Sequence, residues 1–309
     1  MALRDRLTGI RDWQRANQSM PSTSFIFLII LIHQLAASFA FPIAKLGLNQ
    51  FDPFSYAFFR FIICSALYII LLLIKRQKEK IVFKDRIKIF MLGLFLIPMN
   101  QLLFLIGQAK TTASHGSLLF ATTPIVIYVM AILFLREKLT FRRSLGILIA
   151  IIGVYTILTG GKLQFGTEHL VGDLIVLAAV IAWGAGTVMG KPLAQKYGAL
   201  RTTGLALVFG SAVYFPFGII KALQADYSAV TWVGWFSILY MGIIMSTLAY
   251  FIWYWVLKYF EASRIAVVQN IQPIIASATA ALVLGEPISR NFIMGGIIVM
   301  AGVLLTEIK

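Results

Sequence analysis

Ten apolar stretches, most of them about 20 residues long and joined by short polar connections, leave this chain one solvent in which it can fold. They lie near residues 24–46, 54–74, 88–107, 113–135, 143–159, 172–190, 203–220, 232–257, 263–284 and 291–306. Of 309 residues, 60% are hydrophobic and 13% charged, whereas a soluble domain uses about a quarter charged residues to cover its surface. Lipid tails resolve the conflict. The expected fold is all-α and integral to a bilayer, with little chain left for a separate soluble domain.

Charge sets the expected orientation. The formal charge of +15 would point a soluble protein toward nucleic acid; in a membrane protein it reads as basic loops held on the cytoplasmic side. With the N-terminus inside, ten helices place 21 of the 27 Lys and Arg in cytoplasmic segments and 5 on the opposite face, with Arg60 inside a span. Both termini are therefore expected in the cytoplasm, and the expected location is the cell inner membrane. Residues 1–23 form a basic N-terminal segment. In it Leu3, Leu7, Ile10 and Trp13 recur at helical spacing among Arg4, Arg6, Arg11 and Arg15, a pattern that fits a surface-lying amphipathic helix or a basic tail without fixed structure. A single cysteine, Cys64, excludes an intrachain disulfide and a cysteine-based metal cluster.

The most informative feature is internal. At an offset of 149 positions, Ala113-Ser114 meets Ala262-Ser263, Pro124 meets Pro273, Glu137 meets Glu286, Gly146 meets Gly295 and Gly153 meets Gly302, all without a gap. The chain therefore reads as two copies of a five-helix unit, 24–159 and 172–306. Five is odd, so the second copy must enter the membrane from the other side. The charges agree: residues 136–143 carry a net +3 and the equivalent residues 285–290 a net charge of zero. Inverted repeats are a recurrent architecture of secondary transporters, with the solute site near mid-membrane where the repeats meet.

These residues resemble the drug/metabolite transporter superfamily, in its ten-helix EamA-type branch. The resemblance rests on Ala113-Ser114, Pro124, Arg136-Glu137, Gly146 and Gly153, on their second copy Ala262-Ser263, Pro273, Gly285-Glu286-Pro287, Gly295 and Gly302, on Trp183-Gly184, and on Phe59-Arg60-Phe61. It implies export or exchange of amino acids, metabolites or drugs, or import of metabolites, and Trp183 as a substrate contact. The first half departs from the pattern, with Ala37-Ser38 where the second has Trp183-Gly184.

Several side chains could serve such a path. Pro124 and Pro273 leave the carbonyls of Phe120 and Gln269 without a helical partner. The expectation is a pair of bent helices lining the path beside Thr122, Thr123, Gln269, Asn270 and Gln272; a simple packing kink is the alternative. Asn100 and Gln101 form a second polar cluster, and the offset pairs Gln101 with Tyr250 and Phe104 with Trp253. Amides and phenols can hold a solute's polar groups and aromatic faces its apolar part, or the same groups can join helices by hydrogen bonds. His33, beside Gln34, falls near mid-membrane, where it either couples protons or binds solute, or stays neutral against a neighbouring helix. Arg60 either attracts a carboxylate or phosphate, or snorkels to the interface. Glu137 and Glu286 read as structural, holding loops or helix ends. Gly186 and Gly190 give a small-xxx-small packing face.

An embedded enzyme is disfavoured. Paired acids and a His-Glu-x-x-His helix are absent from the sequence, and His33, His115 and His169 are scattered. No Walker motif supports ATP coupling, and no metal or other cofactor is expected. The expected partners are a small solute and the lipid bilayer, not nucleic acid; monomer and homodimer both stay open. The favoured reading is a secondary carrier exporting amino acids or related amphipathic compounds. The alternatives are import or exchange of a nucleotide-like cofactor or sugar derivative, and a channel.

Overall fold

The computed structural model describes residues 21–75, 80–136, 140–159, 167–286 and 290–307; at 23, 154, 157–159, 167–169, 264, 267, 270, 291–292, 303–304 and 306–307 it describes the backbone alone. Residues 1–20, Glu137, and the side chains of His169 and Asn270 thus lie outside the described residues, with the expectations attached to them. Every one of the ten apolar stretches is helical, and no strand occurs among the described residues. The helices are α1 (Thr23–Leu48), α2 (Pro53–Ile74), α3 (Phe83–Leu96), α4 (Leu103–Lys110), α5 (Ala113–Phe120), α6 (Thr123–Leu135) and α7 (Phe141–Thr159). The second half contains α8 (Thr167–Tyr197), α9 (Ala199–Gln224), α10 (Trp232–Leu239), α11 (Tyr250–Val256), α12 (Ala262–Ala266), α13 (Gln272–Leu284) and α14 (Arg290–Glu307). Among the described residues seven helical runs are long and apolar enough to cross a membrane, while Gln272–Leu284 and Ile293–Gly302 are apolar but shorter.

Local chemistry sets the ends of these helices. Asp52 Oδ1 accepts from the amides of Phe54 and Ser55, both at 3.0 Å, with Pro53 in the first turn; an N-cap acceptor followed by proline is a strong start signal. Lys45 Nζ donates to the carbonyls of Gln108, Ala109 and Thr111 at 3.1, 3.3 and 2.6 Å, placing a cation on the negative end of α4. Glu286 does the converse for α5. Its Oε1 accepts from the Ala113 amide at 2.9 Å and its Oε2 from the Ser114 amide at 3.1 Å and from the Ser114 hydroxyl. It satisfies first-turn donors that have no partner in the helix.

Proline does more than bend the chain. Thr122 and Thr123 were expected in mid-helix, but a turn at residues 121–122 separates α5 from α6, and Pro124 stands in the first turn of α6. In the second half a 3₁₀ segment, Val267–Ile271, ends where α13 begins, and Pro273 stands in its first turn. A missing amide costs nothing at a helix start, so at Pro124 and Pro273 a new helix begins where a kink was expected; Pro42, Pro192 and Pro216, by contrast, are accommodated inside α1, α8 and α9. Two further interruptions are π-helical, Ile97–Leu102 between α3 and α4 and Tyr240–Ala249 between α10 and α11.

The duplication is visible in three dimensions. By their bounds α13 repeats α6 at the offset of 149 at both ends, and each is capped by a left-handed residue, Arg136 with φ 56° and Gly285 with φ 68°. Contacts exchange between the halves as well. α1 packs on α13, and its counterpart α8 packs on α6. α7 and α14 lie along one another, with Gly153 facing Gly295 and Gly302 facing Gly146. Because the numbering rises along one helix as it falls along the other, the two run antiparallel. Gly186 and Gly190 do admit close neighbours, but these are the Leu96 side chain and the Tyr254 ring, on two different helices.

A methyl group at Gly153 would lie 2.7 Å from the Gly295 carbonyl oxygen, and one at Gly302 would lie 2.5 Å from that of Gly146, whereas nothing stands within 4 Å of one at Gly296. Gly153→Ala and Gly302→Ala are expected to cost a similar amount, about 1–3 kcal/mol each. Gly296→Ala is expected to be neutral or slightly stabilising, since alanine is the better helix former. Thermal unfolding of the three variants in detergent checks this.

Candidate functional site

Between the two halves lies a small cavity of about 80 Å³, room for a few water molecules in this packing. The first half contributes His33 and Phe41 from α1, Arg60 from α2, Asn100 and Gln101 from the first π segment, Phe104 from α4 and Phe120 from α5. The second contributes Trp183 from α8, Met241, Met245 and Ala249 from the second π segment, Tyr250 from α11, Gln269 from the 3₁₀ segment and Gln272 from α13. Both π segments, the end of α5 and the 3₁₀ segment thus border this one space.

The polar floor is a linked amide cluster. Asn100 Nδ2 donates to the Ala179 carbonyl at 2.8 Å, and its Oδ1 accepts from Gln101 Nε2 at 2.7 Å and from the Tyr250 hydroxyl at 3.0 Å. Gln101 Nε2 also donates to Tyr250. Gln101 and Tyr250 stand 149 positions apart, so a residue here bonds its own counterpart. Only near the axis that exchanges the two halves can this happen, so the pair marks that axis. A further bond, Gln272 Nε2 to Gln34 Oε1 at 2.6 Å, ties α13 to α1. The apolar wall is aromatic. Phe41, Phe104 and Phe120 meet edge to face with centroids 5.5–5.7 Å apart. Trp183 packs edge-on to Tyr250 at 5.1 Å.

The sequence-derived candidates separate into three groups. His33, Arg60, Asn100, Gln101, Trp183, Tyr250, Gln269 and Gln272 line the cavity. Gln34 and Trp253 support it from behind: Gln34 through its bond to Gln272, Trp253 by stacking on His33 at 5.9 Å and Trp183 at 5.5 Å while its Nε1 donates to Thr187 Oγ1 at 3.1 Å. Thr122, Thr123, Pro124 and Pro273 are not among the lining residues. The Thr122 hydroxyl donates to the Leu119 carbonyl at 2.6 Å, closing the turn between α5 and α6. The asparagine of the Gln269-Asn270 pair is described by its backbone alone.

Arg60 does not snorkel. Its side chain is buried at 1% exposure, its Nε donates to Ser246 Oγ at 2.8 Å, and it lines the cavity. Phe41, Phe120, Met241 and Met245 belong to the site although sequence reading passed over them. Within apolar helices nothing distinguishes a phenylalanine that faces a cavity from one that faces lipid. The π segments were missed too, although Pro98 at the start of the first was a usable signal for an interruption beside Asn100-Gln101.

A mostly apolar cavity with a few polar groups, at the junction of two duplicated helical halves in a chain built to lie in lipid, fits a membrane transport protein. The model of the EamA-like transporter family matches residues 24–159 and again residues 170–308, so the chain belongs to that family and is a transporter, not an enzyme. It is similar to the uncharacterized transporter YetK of Bacillus subtilis (strain 168), at 29% identity over 86% of this chain and 82% of the relative. An uncharacterized transporter of Archaeoglobus fulgidus is 27% identical over 87% of this chain and 94% of its own length. A solved crystal structure shares the fold, with a TM-score of 0.71 at 15% identity, over 93% of this chain and 97% of the other.

Asn100 is the centre of the amide cluster, with bonds to Ala179, Gln101 and Tyr250. Asn100→Ala is expected to lower stability by about 1–2 kcal/mol, the upper part of the range for hydrogen bonds between membrane helices. Tyr250→Phe, which leaves the Asn100–Gln101 bond in place, should cost less. Unfolding midpoints of the two variants in one detergent test the order.

Proposed function

We propose that the protein is an alternating-access secondary carrier in the cell inner membrane, exporting amino acids or related small amphipathic compounds. Ten helices cross the bilayer as two inverted five-helix repeats, with both termini in the cytoplasm. The observation that carries this reading is the shared cavity, lined from both halves by amides and aromatic rings. An amphipathic solute matches such a lining, its polar head on the amides and its apolar body among the rings. The pseudo-symmetric contacts supply the mechanism. Two halves that exchange places about the Gln101–Tyr250 axis have two related packings, one open to each side.

Contacts at the helix ends support the topology, because they join segments that the ten-helix arrangement puts on one face. Toward the cytoplasm, Lys196 Nζ meets Asp85 Oδ2 at 2.6 Å and Arg143 meets Glu261 at 3.0 Å. Toward the outside, Asp173 accepts from Thr111 Oγ1 at 2.7 Å and stands 3.2 Å from His115 Nδ1, and Glu286 holds the start of α5.

Cysteine accessibility tests the inversion. Cys64 is buried and contributes little background, while Lys80 and Arg290 are exposed. A membrane-impermeant thiol reagent added to intact cells is expected to label Arg290→Cys and to reach Lys80→Cys only after lysis; labelling of both from one side overturns the inverted arrangement. Transport is tested by counterflow in proteoliposomes loaded with single amino acids. Saturable, accelerated uptake is expected of a carrier, and leakage without saturation would identify a channel.

A further inference from the structure

The cavity holds a charge that no carboxylate among the described residues balances. Arg60 is buried and uses its Nε on Ser246, but its Nη1 is also buried and donates to no partner. Among the described residues no carboxylate forms an ion pair with it, and neither Asp, Glu nor Lys lines the cavity. A lone guanidinium at membrane depth costs about 2.5–3.5 kcal/mol even on the lenient insertion scale. A residue so placed calls for a counter-charge from outside the chain.

Two acceptors in the same lining are also unused. Gln101 spends its amide nitrogen on Asn100 and Tyr250, and its Oε1 is buried without a donor; Gln269 Oε1 is in the same condition. Each buried unpaired polar group costs about 1–3 kcal/mol. Unpaired polar atoms also occur elsewhere in the described residues, at Thr202, Thr203 and Ser211 among others, but those of Arg60, Gln101 and Gln269 belong to residues that line one cavity, where a ligand's polar groups can reach them. One orphan cationic donor and two orphan acceptors describe the complement of a carboxylate and an amino group. Beside them the edge-to-face cluster of Phe41, Phe104 and Phe120 offers apolar surface.

We infer that Arg60 is a carboxylate anchor and that the solute carries one carboxylate paired with its guanidinium, an amino group received by the amide oxygens of Gln101 and Gln269, and an apolar body among the phenylalanines. The inference rests on the carrier reading and narrows it. A cation lacking the carboxylate meets Arg60 with like charge. A dicarboxylate or a phosphate dianion brings a second negative charge for which the lining holds no cation. The carboxylate balances Arg60 directly, while the ammonium is received by the neutral amide oxygens of Gln101 and Gln269, so the occupied site keeps a net charge of +1 with every charged group hydrogen-bonded.

The test uses the full-length protein in proteoliposomes and four related probes: L-phenylalanine, L-phenylalaninamide, 3-phenylpropionate and phenyl phosphate. L-Phenylalanine is expected to compete best in counterflow, 3-phenylpropionate about tenfold less well, and the amide and the phosphate to compete weakly. Arg60→Gln should weaken L-phenylalanine by about 30-fold or more, as removal of one partner from a buried charge pair does, and Arg60→Lys should recover part of the loss because it keeps the charge without the planar fork. Replacing Gln101 and Gln269 together by Met should erase the preference for L-phenylalanine over 3-phenylpropionate while Arg60 still selects against the amide. Equal competition by the amide and the amino acid in the wild-type protein overturns the anchor, as does phenyl phosphate competing best; these readings stand even if a variant fails to fold. Saturable counterflow that Arg60→Gln leaves unchanged also overturns the anchor but leaves the carrier. Leakage of every probe without saturation removes the carrier reading itself.

Discussion

A backbone carbonyl or amide that loses its helical partner inside hydrocarbon has no water to turn to, and each such group costs several kcal/mol. Helix interruptions at membrane depth are therefore confined to places where protein or a cavity receives them. The described residues hold four of them: the two π segments, the turn after α5 and the 3₁₀ segment before α13. Three contribute side chains to the same space, and the turn directly follows Phe120, which lines it too. Three of the four sit next to a proline, Pro98, Pro124 or Pro273, whose missing amide weakens the helix locally, although Pro42, Pro192 and Pro216 are accommodated inside α1, α8 and α9. The site lies where these helices are interrupted.

Duplication explains why that space lies between the halves. Each interruption in one copy faces structure contributed by the other, and the elements that carry them exchange partners: α1 on α13, α8 on α6, α7 on α14. Glycines at the α7–α14 crossing let the backbones approach to distances that no larger residue admits. Lacking a hydrophobic drive between helices in lipid, such close packing supplies much of the association. The Gln101–Tyr250 contact, a residue meeting its own counterpart, is the polar equivalent at the centre.

The division of charge follows from the same solvent. Lys45, Lys196 and Arg143 act at helix ends, where they bond the carbonyls of residues 108–111, Asp85 and Glu261. The acids do likewise, with Glu286 on the first turn of α5 and Asp173 beside Thr111. Arg60 is the exception, carried into the interior by α2 and held by a serine of the opposite half. A charge placed so far from water acquires meaning from what enters the cavity.

Apolar run length, loop charge and a gapless offset of 149 were all present in the linear chain, and they sufficed for the helical class, the two copies and the antiparallel sense later seen between α7 and α14. Those features depend on periodicity and composition, which local sequence records. The polar candidates were legible for a related reason: an amide, a histidine or an arginine among leucines is conspicuous wherever it points. Which of them meet was not legible. Thr123 and Gln272 occupy equivalent positions, yet only Gln272 reaches the cavity. Phe41 and Phe120 line it, while Phe27 and Phe134 look outward with 65% and 73% exposure. A rotation of one helix by a few tens of degrees decides such matters, and rotation is set by packing against neighbours that are remote in the chain. Tertiary structure also decided the fate of Arg60, because a side chain of that length can reach either the interface or the interior. Turned inward, it meets Ser246, 186 residues away in the chain, a partner that the linear sequence does not place beside it.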